Sequence, residues 1–232
     1  MEAKRGRVPE DERNFSPEAL ALLRTASRQV RFLIDEGYDL KQATVFVGNH
    51  YLLSERQRLA VMRSLATEKQ LAERKRKELP LSALAGRELL IDGFNTLITL
   101  EVMLSGSPLF EGMDGAVRDL AALRGTYRVI PVTREAARLL FDTLRDAGAA
   151  AATVLLDEPV SNSGRLRALL ADMGEGYPLS LDLRVTKDVD RQLYGRENVV
   201  TSDSVILDRC RSWTNLGAAC LARTGGSALL VW

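Results

Sequence analysis

Residues 88–96 read Glu-Leu-Leu-Ile-Asp-Gly-Phe-Asn-Thr, and this stretch decides the fold class. A short apolar run ends at Asp92, and Gly93 then permits a tight turn. Three later apolar runs also end in an acid: Asp157, Asp188 and Asp203. Because segments with a helical pattern lie between these runs, the alternation predicts a parallel sheet with helices on both faces. The sequence therefore predicts an α/β domain over residues 87–232.

The elements of this α/β domain follow from apolar periodicity and from turn residues. Predicted strands cover residues 88–91, 151–156, 179–185 and 198–200, and a last apolar run covers 227–232. Predicted helices cover residues 134–147, 164–173 and 204–210. Ser204 is expected to cap the last of these helices, which leaves the carboxylate of Asp203 free for other contacts.

The first 80 residues follow a helical period instead. Ser16-Pro17-Glu18 is a typical helix start, because Ser caps the free N–H groups and Pro suits the first helical position. Apolar residues then recur at helical spacing until Gly37 ends the pattern. Two further helices are predicted over residues 40–47 and from 54 to about 77. Residues 1–80 are therefore predicted to form a small all-helical domain.

The helical domain is basic although the whole chain is nearly neutral, with 32 Lys and Arg against 31 Asp and Glu. Residues 1–80 hold 16 basic and 12 acidic residues, and residues 81–232 hold 16 and 19. Basic side chains of the third helix are expected to contact phosphates without sequence choice: Arg56, Arg58, Arg74, Lys75, Arg76 and Lys77. The alternative is a solvated helix face without a ligand.

Several classes of protein are excluded by composition. The chain has one histidine, His50, and two cysteines, so neither a Ser-His-Asp mechanism nor a zinc site is supported. No run of 18 apolar residues crosses a membrane, and the first residues show no apolar leader, so we expect a cytoplasmic protein without a membrane partner. The remaining polar groups are carboxylates and hydroxyls, which suit Mg²⁺ or Mn²⁺.

The strand-end acids predict a site at one edge of the sheet, because the carboxyl ends of parallel strands meet there. Crowded carboxylates raise one another's pKa, and a divalent cation relieves the repulsion. The acids expected to bind metal are Asp92, Asp157, Asp188, Asp203 and Asp208. Arg165, near a predicted helix start, adds a donor for phosphate. The alternative is that each acid only caps the helix that follows it.

Three motifs carry a resemblance to a known family: Ile91-Asp-Gly-Phe-Asn95, the strand end at Asp157, and Val200-Thr-Ser-Asp203. They resemble the PIN-like superfamily, and in particular its NYN branch. The resemblance implies a metal-dependent ribonuclease that uses Mg²⁺ or Mn²⁺, with Asp92, Asp157 and Asp203 as catalytic metal ligands. Asp188 or Asp190 would supply a further acid. Residues implied in support are Asn95, Ser202, and Asp114 or Asp119 as the acid of the first long helix.

A second resemblance covers nearly the whole chain. Residues 31–38, Arg-Phe-Leu-Ile-Asp-Glu-Gly-Tyr, and residues 54–59, Ser-Glu-Arg-Gln-Arg-Leu, resemble an uncharacterised prokaryotic, largely archaeal family. That family joins a small helical domain to a PIN-like fold. It carries no established activity.

Three functions are open at this point. The first is a metal-dependent nuclease that cleaves RNA and uses the helical domain as a clamp. The second is a non-catalytic RNA-binding or regulatory protein that retains the fold. The third is a phosphatase of the haloacid dehalogenase type, since Asp92 closes a strand and Thr96 follows, but Phe94 stands where that motif needs a second Asp. Assembly into a homo-oligomer also stays open.

Overall fold

A computed structural model of the chain describes residues 4–123 and 125–232. The helices before the first strand are α1 (Asp11–Asn14), α2 (Pro17–Asp35), α3 (Leu40–His50), α4 (Glu55–Ser64) and α5 (Glu68–Lys77). The elements from the first strand to the middle of the chain are β1 (Glu88–Asp92), α6 (Gly93–Leu104), β2 (Phe110–Glu111), β3 (Val117–Arg118) and α7 (Pro131–Asp146). The remaining elements are β4 (Ala151–Asp157), α8 (Ser163–Gly174), β5 (Ser180–Thr186), α9 (Val189–Leu193), β6 (Val199–Val200), α10 (Ser204–Arg209), β7 (Trp213–Thr214) and α11 (Leu216–Thr224).

The described residues form a five-stranded parallel sheet in the order β5-β4-β1-β6-β7. The chain runs from β1 outward through β4 to β5 and then returns to the other side of β1 for β6 and β7. This reversal places a topological switch point between β1 and β6, where Ile91 lies opposite Val200. The predicted α/β class and the helical region before it are confirmed.

Helices cover both faces of the sheet, because successive side chains of a strand point to opposite sides. Leu89 and Ile91 belong to a buried cluster that includes side chains of α6, α7 and α8. Leu90, between them, packs with a second cluster that includes side chains of α9 and α10 and the ring of Trp213. The prediction of helices on both faces is therefore confirmed.

The helical region shares its core with the rest of the chain. Its buried side chains include Leu23, Val30 and Val61, and the same cluster contains Phe110 and Val231 from the rear half. Arg56 adds polar contacts between the two parts, because its guanidinium donates hydrogen bonds to the Asp11 carboxylate and to the Leu120 carbonyl. The helical region therefore packs against the α/β part through a common core.

The predicted third helix over residues 54–77 is in fact two helices. The pattern is interrupted at Leu65, which adopts an extended conformation after α4. Thr67 then starts α5 with a capping box: its side chain accepts from the Gln70 N–H, and the Gln70 side chain accepts from the Thr67 N–H. This reciprocal cap makes a new helix start more favourable than continuation.

Short strands also depart from the sequence prediction. The apolar run over residues 227–232 forms an isolated bridge between Leu229 and Phe110 rather than a strand of the main sheet. The sequence gives no sign of β7 or of the β2–β3 ribbon, because two residues are too few to show a period. None of the helices in the described part of the chain has the length and apolar content needed to cross a bilayer.

Candidate active site at the carboxyl edge of the sheet

Asp92 lies at the carboxyl end of the central strand, directly before α6. Although it occupies the N-cap position, its side chain makes no capping hydrogen bond. Asp92 as a residue is 5% exposed, and the Thr201 hydroxyl donates to its Oδ2 at 2.8 Å. Gly93 keeps the helix close to the sheet, since a Cβ there would lie 2.7 Å from the Leu155 carbonyl oxygen. The carboxylate of Asp92 therefore does not serve as the cap of α6.

Three carboxylates lie close enough for their charges to affect Asp92, and we call the four together the acid cluster: Asp92, Asp157, Asp190 and Asp203. Burial, and then the charges of Asp203, Asp157 and Asp190, raise the pKa of Asp92 from 3.8 to about 7, against the lowering effect of the Thr201 hydrogen bond. Burial, followed by the charge of Asp190, also raises the pKa of Asp157. Burial, followed by the charge of Asp203, raises the pKa of Asp190. Chain segments distant in sequence thus converge at this edge.

Asp203 has a second role that the sequence analysis assigned to its neighbour. Its Oδ1 accepts hydrogen bonds from the N–H groups of Val205 at 2.8 Å and Ile206 at 3.1 Å. Asp203 is therefore the N-cap of α10, and the prediction that Ser204 caps this helix is wrong. The reason is that Asp203 has the extended backbone of an N-cap, whereas Ser204 is already the first helical residue.

The dual role of Asp203 leads to a prediction. Asp203→Ala should lower the free energy of unfolding by about 1 kcal/mol, because the cap is lost. Asp203→Asn should be neutral or slightly stabilising without metal, because it keeps the cap oxygen and removes one charge near Asp92. Urea unfolding of both variants, with Ser204→Ala as a control, measures the difference. Equal destabilisation by the Ala and Asn changes would contradict this view.

The turn between β6 and α10 is held by polar contacts from two other elements. Asn95 Oδ1 accepts from the Ser202 N–H at 2.8 Å and from the Ser202 hydroxyl at 3.0 Å. On the other side, Arg118 Nε donates to the Ser202 carbonyl at 2.7 Å. Asn95 and Ser202 thus lie in contact near Asp92, and their hydrogen bonds position the backbone that carries Asp203.

Asp114 and Asp208 lie in an ion-pair network instead of the acid cluster. Asp114 accepts two hydrogen bonds from Arg118, at 2.8 and 2.7 Å, and one from Arg74 at 2.7 Å. Burial opposes ionisation of Asp114, but the hydrogen bonds and charges of Arg118 and Arg74 hold its pKa below the usual value. Arg74 also donates to Asp208 at 2.7 Å. The network connects α5 to the Ser202 turn through Arg118.

Two other proposed acids are also placed elsewhere. Asp119 accepts from the Thr99 hydroxyl at 2.8 Å and from the Ala121 N–H at 2.7 Å. Asp188 is an exposed residue in the left-handed region, just before α9. Asp190, the second residue of α9, belongs instead to the acid cluster. The sequence left Asp188 or Asp190 as the further acid of the site. Asp190 is the one whose charge acts on Asp92.

The cations predicted to bind phosphate fall into buried and exposed groups. The buried or internally bonded ones are Arg56, Arg58, Arg74 and Lys77. Lys77, for example, donates to the Leu207 carbonyl at 2.6 Å and so fixes α5 on α10. The exposed ones are Lys75, Arg76 and Arg165, of which the first two pair with Glu78 and Glu73. A phosphate-binding role remains a prediction for the exposed group.

Glu101 was missed by the sequence analysis although it lies on α6, the first long helix of the α/β part. It is fully buried and accepts from Arg5 Nε at 2.7 Å and from the Tyr127 hydroxyl at 2.6 Å. The Thr133 hydroxyl also donates to it. Both carboxylate oxygens are thus engaged in a structural network. The only local sequence signal for a buried role of Glu101 is that an acidic residue stands in an otherwise apolar stretch of helix.

Comparison with known proteins places the chain in a family. Residues 81–219 match the model of a domain of unknown function, DUF5616, and residues 22–77 match that of a protein of unknown function, DUF434. The chain belongs to the DUF5616 family. This DUF5616 chain is also 33% identical over 182 residues to the uncharacterized protein MJ0935 of Methanocaldococcus jannaschii, covering 78% of this chain and 87% of that protein. No solved structure matches it significantly.

Proposed function

We propose that this DUF5616 chain is a divalent-metal-dependent nuclease that cleaves RNA at the acid cluster. The observation that carries the proposal is Asp92: it is buried at the switch point of the sheet, has a pKa raised to about 7, and does not cap its helix. Within residues 4–123 and 125–232, Asp92 forms no salt bridge with a cationic side chain. A buried carboxylate in this situation favours a ligand that supplies positive charge.

The donor chemistry of the acid cluster fits Mg²⁺ or Mn²⁺, since carboxylate and hydroxyl oxygens are their preferred ligands. In residues 4–123 and 125–232, no group of three or more His, Cys, Asp or Glu side chains already stands close enough to hold a metal ion. Binding would therefore require the carboxylates to rotate toward one another. One or two bound ions would supply an activated water and positive charge for a leaving oxygen.

The chain's own residues have separate tasks in this proposal. Asp92 and Asp157 provide carboxylate oxygens from adjacent strands, β1 and β4. Asp203 provides a third while its Oδ1 caps α10. Thr201 and Asn95 hold these groups in register through the hydrogen bonds described above. The choice of RNA rests on the sequence resemblance, with Arg165 exposed at the start of α8 as a phosphate contact.

The second candidate is a non-catalytic RNA-binding or regulatory protein. Two observations favour it: the described acids are not already arranged around an ion, and Asp203 is engaged as a cap. For either function we propose a cytoplasmic location, in keeping with the free, buried Cys210 and Cys220.

Cleavage of a mixed RNA pool with Mn²⁺, Mg²⁺ or EDTA tests the nuclease. We expect cleavage with either ion, none with EDTA, and none for Asp92→Asn with either ion. Asp172→Asn is the matched control, because Asp172 is an exposed acid on α8 whose partner is Arg134. Binding of the same RNA without cleavage under all conditions would favour the second candidate. Equal cleavage by wild type and Asp92→Asn would refute the site.

A further inference from the structure

Strand β5 is the outer strand of the sheet on the side of β4. The Ser180 N–H donates to the Ala150 carbonyl, and the Thr186 carbonyl accepts from the Glu158 N–H, so the even-numbered residues of β5 face β4. The backbone groups of the odd-numbered residues between them, Leu181, Leu183 and Val185, therefore point outward. A flat edge with outward N–H and C=O groups is a template for another strand.

Apart from two charged side chains of opposite sign, the sequence of β5 lacks the features that usually block such pairing. It reads Ser-Leu-Asp-Leu-Arg-Val-Thr over residues 180–186, without proline, glycine or lysine. Its two charges, on Asp182 and Arg184, have opposite sign and are about half exposed, with side-chain exposures of 50% and 59%. Leu181 and Leu183 are only partly buried on the opposite face, where they pack against the core.

We propose that β5 pairs antiparallel with β5 of a second copy of this chain, with the two-fold axis at Leu183. Each Asp182 then lies opposite Arg184 of the second copy, and each Leu181 lies opposite its Val185. The strand is self-complementary in this register: charges of opposite sign meet on one face and apolar side chains meet on the other. Two sheets would join into one continuous sheet.

Backbone hydrogen bonding is compatible with this register. In an antiparallel pair, residues that exchange both hydrogen bonds alternate with residues that exchange none. An axis at Leu183 makes the outward residues Leu181, Leu183 and Val185 the hydrogen-bonded ones, so their outward groups are all used. Asp182 and Arg184 then occupy the non-hydrogen-bonded positions, where opposing side chains approach most closely, with Cα atoms about 4.5 Å apart.

Neighbouring registers are worse for electrostatic reasons. An axis at residue 182 would place Asp182 against itself, and an axis at residue 184 would place Arg184 against itself. Like charges directly opposite each other destabilise a pair of strands. A shift that pairs odd with even residues would set outward groups against groups already bonded to β4. Of the registers centred on residues 182, 183 and 184, only the one at Leu183 pairs both charges favourably.

Sedimentation velocity of the full chain, at several protein concentrations, tests the proposal. We expect wild type to sediment as a species of twice the 25.6 kDa chain mass. Asp182→Arg and Arg184→Asp should each weaken the dimer at least tenfold, because each places like charges opposite one another. The double variant with both changes should restore it, because the charges are complementary again. Wild type that stays monomeric, or a dimer insensitive to the single changes, would overturn the proposal.

Two further variants report on the backbone and on the register. Leu183→Pro removes an outward N–H without breaking a bond to β4, so it should give a folded monomer, with folding checked by circular dichroism. Leu183→Cys should form a disulfide across the axis under mild oxidation, because the paired Cα atoms would lie about 5.5 Å apart. Leu181→Cys is the control, because its opposite residue is Val185. Cross-linking of the Leu181 variant in place of the Leu183 variant would refute the register.

Discussion

Asp92→Asn should stabilise the metal-free protein at pH 8. The pKa of Asp92 is about 7 in the folded chain against 3.8 as the ordinary value. Between these two values the folded state binds more protons than the unfolded state, so stability falls as pH rises toward 7. Above pH 7 Asp92 is ionised in the folded state, and its buried charge lowers the free energy of unfolding by roughly 4 kcal/mol. The amide of the Asp92→Asn variant keeps an oxygen for the Thr201 hydroxyl and carries no charge, so most of this penalty should disappear.

Urea unfolding with EDTA at pH 6, 7 and 8 measures this effect. Wild type should lose stability across the series, whereas Asp92→Asn should be nearly flat. The control Asp172→Asn should follow wild type, because that acid is exposed on α8. Destabilisation by Asp92→Asn at pH 8 would show that the carboxylate contributes to stability, contrary to its raised pKa.

A divalent metal ion should reverse the pH dependence of stability in wild type but not in Asp92→Asn. An ion that binds only the folded state adds stability that grows with its concentration above Kd. Because the ion competes with the proton on Asp92, the stabilisation by Mn²⁺ should be larger at pH 8 than at pH 6. Asp92→Asn should show little response at either pH. A response equal to that of wild type would place the bound ion elsewhere.

Arg74→Ala should strongly destabilise the protein. Arg74 is 2% exposed and joins Asp114 to Asp208, and the Asp114 side chain is itself 1% exposed. Removing one partner from a buried charge network typically costs 3–5 kcal/mol, because a buried charge loses its compensation. Arg118 still pairs with Asp114, so we expect the lower end of that range, about 3 kcal/mol.

The matched control for Arg74→Ala is Arg76→Ala, two residues further along the same helix. The Arg76 side chain is 70% exposed and pairs with Glu73 on the surface, so its loss should change stability by less than about 0.5 kcal/mol. Thermal and urea unfolding of both variants measure the contrast. If Arg74→Ala unfolds like Arg76→Ala, the network does not hold α5 on the α/β part.

Salt-dependent RNA binding should be tested with Lys75→Ala and Arg76→Ala, because the loss of these exposed side chains should leave the fold intact.

Local features of this protein were predictable from the sequence because each depends on residues that are neighbours in the chain. Ser16 caps α2 as expected, and the main strand-and-helix rhythm of the α/β part is present. The placement of Asp92, Asp157 and Asp203 at one edge also followed, since parallel strands share the direction of their ends. These inferences need only periodicity, turn residues and the geometry of a parallel sheet.

Other features were decided by the tertiary structure. Asp190 lies within α9 and reaches the acid cluster, whereas Asp188 precedes that helix in a left-handed conformation. Arg74 is buried because Asp114 and Asp208 meet it from distant segments. The raised pKa of Asp92 likewise depends on burial by other elements and on acids that are remote from it in the chain. A sequence pattern reports the type and spacing of residues, whereas desolvation and ion pairing depend on distances that exist only once the chain has packed.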